Sequence, residues 1–87
     1  MSIKYYTIKS IEDFIEKYCD ECLFVSDSVV GMGHQIWALK SGGFFEVIEH
    51  YENCWSSVHS VRKKSKLSKK DLALIDDQDQ NLLLSDD

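Results

Sequence analysis

The sequence predicts a small α+β domain. It comprises an antiparallel sheet of about four strands, an N-terminal helix packed on one face and a short C-terminal helix. Three observations carry that prediction. Ile11, Phe14, Ile15, Tyr18, Cys19 and Cys22 recur at three- to four-residue spacing, the signature of one apolar helix face. Two β-rich runs, His34 to Lys40 and Phe44 to Tyr51, flank Ser41-Gly42-Gly43, a hairpin signal because a short loop needs glycine where φ is positive. Ser68-Lys-Lys-Asp71 has the polar residue and the acid three positions later that open a helix.

Taken in order, residues 3–8 are rich in β-formers and predict a short strand. Ser10-Ile-Glu-Asp13 reads as the N-cap and acidic first turn of a helix over about 11–21. Leu23 to Val30 is β-branched and predicts a strand, which Gly31-Met-Gly33 ends. A hairpin loop at Ser41-Gly42-Gly43 sets Trp37 opposite Val47 and Leu39 opposite Phe45, with Ile36 opposite Ile48 and His34 opposite His50 on the other face. A shift of one residue would mix these faces. The stretch 54–61 fits helix or strand and is assigned to a further strand. A helix follows from about Lys69 to Ile75, with Leu82 to Leu84 in line to extend it, and Ser85-Asp-Asp87 should fray. Both faces of the hairpin carry large apolar residues, and one helix covers only one of them. The second cover is the C-terminal helix, a second copy of the chain or a partner.

Composition bounds the rest. The chain has 87 residues, no proline, four glycines and 44% hydrophobic residues, which excludes collagen-like, low-complexity and disordered classes. No apolar run approaches the roughly 18 residues of a membrane span, and residues 1–6 lack a signal-peptide core. A cytoplasmic location with reduced thiols is expected, without membrane association. The net charge of -5 is unevenly distributed. Residues 1–61 hold four basic residues against nine acids, and all ten aromatics lie between Tyr5 and Trp55. Residues 62–70 hold six basic residues and no acid, and 71–87 hold six aspartates and no base. The domain is thus expected as a compact body over 1–61, continued by a charged segment over 62–87.

Several constellations bear on chemistry. Cys19 and Cys22, with Cys54 and His59, supply the residue types of a Cys₃His zinc site, but a single C-x-x-C is also what a helix stripe of small hydrophobes produces. A redox role fits poorly, because Asp20 and Glu21 inside the motif, at a helix C-terminus, oppose a thiolate. His34 and His50, as cross-strand neighbours, offer a metal pair or acid–base work with Glu49 or Glu52. No nucleophile elbow, phosphate-binding loop, zinc-protease motif or dinucleotide fingerprint is present, so no enzyme and no cofactor are expected. Arg62, Lys63, Lys64, Lys66, Lys69 and Lys70 form a basic strip able to neutralise phosphates, although no aromatic interleaves it and the aspartates that follow compete for it. Conversely, Glu12, Asp13, Glu16 and Asp20, with Glu46, Glu49 and Glu52, array carboxylates in the manner of a phosphate mimic.

Small, acidic, aromatic-rich and lacking a catalytic signature, the profile resembles compact phage or mobile-element proteins that block a host enzyme: anti-CRISPR, anti-restriction and toxin-immunity proteins. That resemblance implies a non-enzymatic inhibitor of a larger macromolecule. Its anchors would be Trp37, Phe44, Tyr51 and Trp55. Glu46, Glu49 and Glu52 would face a basic protein partner, such as a nucleic-acid-processing enzyme. A nucleic-acid regulator using the basic strip and a zinc-stabilised accessory domain are the alternatives, and a homodimer is compatible with each.

Overall fold

The computed structural model describes residues 4–84, and side chains through residue 79. Helix α1 (Ile8–Tyr18) leads into β1 (Cys19–Ser26), β2 (His34–Leu39), β3 (Phe44–Tyr51) and β4 (Ser57–Lys64), and α2 (Lys69–Leu84) closes the order. The strands form one antiparallel meander, β1-β2-β3-β4. This is the expected α+β architecture with a helix at each end. No helix of the described residues is long and apolar enough to cross a membrane.

The N-terminal boundary differs from expectation. Thr7 is the N-cap of α1: its hydroxyl accepts the Ser10 N–H at 3.1 Å, and the Ser10 hydroxyl donates to the Thr7 carbonyl at 2.9 Å. The expected strand over 3–8 therefore reduces, within the described residues, to a single bridge between Tyr6 and His59. Ile3 lies outside the described residues. At the other end the helix stops three residues early. Cys19 is already extended, and the Lys40 N–H bonds the Tyr18 carbonyl at 2.9 Å. Cys19 and Cys22 thus belong to β1 rather than to a helix stripe, because pairing with β2 from Cys19↔Leu39 onward satisfies their backbone.

The β2–β3 register is displaced by two positions from the expected one. Trp37 pairs with Phe45 and Ile36 with Glu46. The Leu39 N–H donates to Gly43 O, closing the turn one residue earlier than anticipated, with positive φ at both Gly42 and Gly43. A two-residue displacement preserves the side-chain faces. Phe45 and Val47 therefore meet α1 as their apolar pattern requires, but His34 no longer faces His50.

Ile11, Cys19, Phe45 and Val47 form the core on the α1 face, with Phe14, Ile15, Met32, Trp37, Leu39 and Val61 packed around them. Phe14 stacks on Phe45 at 4.5 Å between ring centroids. Burying each such side chain contributes about 1.5–3 kcal/mol. On the opposite face Ile36 is only 1% exposed, and α2 is the second cover. Its start is the capping pair expected at Ser68 and Asp71, in which each residue's backbone N–H bonds the other's side chain at 3.1 Å. Further along, Gln78 accepts from the Val25 N–H at 3.0 Å and donates to Leu23 O at 3.3 Å. Its amide thus fills the role of a neighbouring strand's peptide on the β1 edge. β4 runs through residues 61 and 62, so the charged segment continues the sheet directly. The fraying expected for 85–87 lies outside the described residues.

Candidate functional site

An antiparallel meander puts alternate turns at the same end. The loops 27–33 and 52–56 share one end of this sheet, and a buried polar cluster ties them down. His59 is 2% exposed, and its Nε2 accepts the Met32 N–H at 2.9 Å. Glu49 accepts from the Ser57 hydroxyl at 2.7 Å. Gly31 sits against these groups: a Cβ there would lie 2.6 Å from Ser57 Oγ and 2.7 Å from His59 Nε2. Ser28 Oγ bonds both the Gly31 N–H at 3.2 Å and the Tyr51 hydroxyl at 3.1 Å.

Serine, histidine and glutamate here are residue types of nucleophilic catalysis, but the geometry makes them a clasp. The ring nitrogen that would act as base is occupied by a backbone N–H, and the serine bonds the carboxylate rather than the imidazole. Burial pushes the His59 pKa down, Glu49 opposes this and His50 adds to it, and the net shift is downward. For Glu49, burial raises the pKa, but hydrogen bonds from Ser28, Ser57 and Tyr51 and the nearby His59 outweigh it.

The sign of the resulting pH dependence follows from these directions. His59, Glu49 and also Asp71 have lowered folded pKa values. Their stabilisation is present above the unfolded values and is lost as pH falls through the folded ones. Lys64, raised mainly by its hydrogen bond to Asp71, contributes below its unfolded value and loses that contribution as pH rises through the folded one. Urea midpoints are expected to fall first as pH drops below the ordinary histidine value of 6.5, and again through the carboxylate range. His59→Gln should flatten the first decline. A wild-type midpoint constant from pH 7 to 5 would contradict the clasp.

On top of this clasp, the loops present apolar groups to solvent. Trp55 is 87% exposed and Tyr51 65%, and Val29 is fully exposed. The Trp55 turn is nevertheless ordered by its own hydrogen bonds. Asn53 Oδ1 accepts the N–H groups of Trp55 and Ser56 at 2.8 and 3.1 Å, and Ser56 O accepts those of Glu52 and Asn53. Asp27 and Glu52 are exposed beside these apolar groups, and neither loop contains lysine or arginine.

Of the anchors expected from sequence, Tyr51, Glu52 and Trp55 therefore gather at this end. Trp37 does not: it packs on the core, and its Nε1 donates to Gln35 at 2.8 Å. Phe44 lies at the far end of β3, half-buried. Glu46 and Glu49 are corrected from partner-facing acids to internal ones. Glu46 is 5% exposed. Its carboxylate meets His34 at 2.6 Å, Lys64 at 3.2 Å and Arg62 at 3.4 Å. Lys64 in turn reaches Asp71 at 2.6 Å. Their positions on β3 point these carboxylates into the layers between sheet, helix and loop.

The basic strip is divided by the same packing. Arg62 and Lys64 are engaged by Glu46 and Asp71, and Lys63 sits over the Phe14 ring at 5.3 Å. Lys66, Lys69 and Lys70 lie exposed around the β4–α2 turn and the start of α2. The zinc set is not assembled. Cys19 is in the core, Cys22 and Cys54 are exposed, and His59 is committed to Met32. Among the described residues no three metal-ligating side chains converge. His34 and His50 are separated as well: His34 pairs with Glu46, and His50 bonds the Ser60 hydroxyl at 2.8 Å.

The roles of Gly31, Ser28 and Gln78 were not predicted from the sequence, in which Gly31 figured only as the end of a strand. Gly31 had a weak signal, a glycine in a β-branched run, while the roles of Ser28 and Gln78 depend wholly on contacts distant in sequence. No protein-family model, curated protein or solved structure matches the chain.

Proposed function

We propose that the chain is a non-enzymatic binding protein that docks a basic protein surface through the 27–33 and 52–56 end of its sheet and thereby inhibits its partner. One observation supports this above the others. Trp55, 87% exposed, stands on a turn fixed by Asn53, so a large aromatic is held out in solvent with its backbone already ordered. Exposing the ring adds nothing to folding stability, but a turn that is already ordered lowers the cost of association. Tyr51 and Val29 extend the apolar contact. Asp27 and Glu52, which make no ion pair among the described residues, favour a cationic partner and a fast encounter. A host enzyme that handles nucleic acid has such a surface, in keeping with the anti-defence profile of the sequence.

The test is affinity capture from nuclease-treated host lysate, with wild type and Trp55→Ala compared side by side. The expected result is a protein partner whose retention drops at least about thirtyfold in the variant, the scale of a central aromatic anchor. Glu52→Lys should slow association and leave the fold intact. Equal retention by wild type and Trp55→Ala would place the interface elsewhere.

A further inference from the structure

The two edges of the sheet are treated differently. On β1, the Gln78 amide takes two outward backbone groups, the Leu23 carbonyl and the Val25 N–H. On β4, one outward group is taken among the described residues: His59 O accepts the Tyr6 N–H at 2.8 Å. Backbone groups alternate in direction along a strand, and β3–β4 pairing is unbroken from Phe44↔Lys64 to Tyr51↔Ser57. The N–H and C=O groups of Val61 and Lys63 therefore point the same way as those of His59, off the edge. Among the described residues no backbone bond meets them.

Beside this open edge, α1 and β4 leave a groove with a cavity of about 460 Å³. Ile11, Phe14, Phe45 and Val61 make its apolar wall, and Lys63 stands at its rim. No acid lines it. Arg62 also lines the groove but is already engaged by Glu46. Lys63 has a ring contact with Phe14 and no ion pair among the described residues. An edge strand with unmet hydrogen-bonding groups, next to an apolar pocket under a helix, is the arrangement that accepts an added strand.

We propose that the β4 edge, from Val61 to Lys63, is a second interaction site that takes an extended peptide segment of a partner, with an apolar side chain in the α1–β4 groove and a carboxylate against Lys63. The peptide continues the pairing that Tyr6 begins, and its backbone meets the N–H and C=O groups of Val61 and Lys63, which have no backbone partner among the described residues. Lysine on an edge also guards against unwanted strand pairing, and an acidic strand is the kind that this guard admits. The site is independent of Trp55.

A short acetylated and amidated peptide alternating glutamate with valine is the probe. It is titrated into the full chain, with hydrogen exchange read at individual amides. The Val61 and Lys63 amides should exchange freely without peptide and slow at least about tenfold with it, while Val25, already capped, should not change. Lys63→Glu should weaken binding about tenfold. A peptide with lysine for glutamate should bind less well, as should one with a central proline, which lacks the donor. Val61 and Lys63 amides already protected in the free protein would overturn the proposal, showing that the chain's own N-terminal residues occupy the edge. Equal binding of the lysine or proline peptide would overturn it too, as would no binding at millimolar peptide. Trp55→Ala should leave all of these results unchanged.

Discussion

Replacing Lys64 with methionine is expected to destabilise the domain by about 3–5 kcal/mol, the scale for removing one partner of a buried ion pair. Lys64 bridges two carboxylates that the fold removes from solvent, Glu46 on β3 and Asp71 at the start of α2. Methionine keeps the length of the side chain and removes the charge, leaving both acids without their common cation. Two features sharpen the expectation. Arg62 reaches only Glu46, at 3.4 Å, and is itself largely exposed, so it replaces little of the loss. Asp71 also caps α2 by accepting the Ser68 N–H, so its protonation loosens the helix start. Urea unfolding at pH 7 measures the loss. Adding Glu46→Gln and Asp71→Asn to Lys64→Met should recover much of it, because neutral amides lack the penalty of unpaired buried charge. A single variant within about 0.5 kcal/mol of wild type would show that solvent reaches these carboxylates and that the bridge stabilises little.

Gly31→Ala is the second large effect, expected at about 2–3 kcal/mol from overpacking together with a lost hydrogen bond. The added methyl would collide with the Glu49 carboxylate, Ser57 and His59. Glu49 and His59 are buried side chains held in a closed set of hydrogen bonds, so neither can swing aside without breaking the Met32–His59 or Ser57–Glu49 contact. Calorimetry gives the cost, and the His59 ring nitrogen shifts report whether Nε2 still accepts. Gly42→Ala is the informative control. Nothing stands within 4 Å of its Cβ position, but φ is +100°, so its cost reflects backbone strain alone, about 1 kcal/mol. Equal losses at the two sites would mean that the loop yields around Gly31 and that the clasp is loose. A loss confined to Gly31, with partner capture reduced as well, would tie the clasp to the docking end.

How far the sequence reaches is clearest in its two hairpin-forming runs. Apolar alternation identified β2 and β3 and assigned Phe45 and Val47 to one face and Ile36 to the other, because side-chain direction along a strand is a local property. It could not choose between registers two residues apart, since both keep the same faces. That choice moved Glu46 opposite Ile36 and separated His34 from His50. The N-terminal helix shows the same division. Its apolar stripe was legible, but its end was not, because Cys19 to Cys22 fit the helix stripe and the strand alike until β2 is present to pair with them.

For the candidate site, the exposed Trp55 and Tyr51 were among the residues the sequence singled out, since their aromatic character needs no tertiary information. Glu46 and Glu49 were misread as outward charges, because an acid in a strand is ordinarily a solvent-facing residue. Here an internal cation and a set of hydroxyls offset the desolvation. The sequence by itself determined the α+β class, the apolar faces of the helix and hairpin, and the capping box of α2, all of which follow from spacing within a few residues. Only the tertiary structure decided which charges are buried, where Gln78 pairs with the β1 edge, and that the outward groups of Val61 and Lys63 on β4 are unpaired among the described residues. Those outcomes arise from groups far apart in the chain competing for the same backbone and carboxylate partners, and no local spacing encodes the winner.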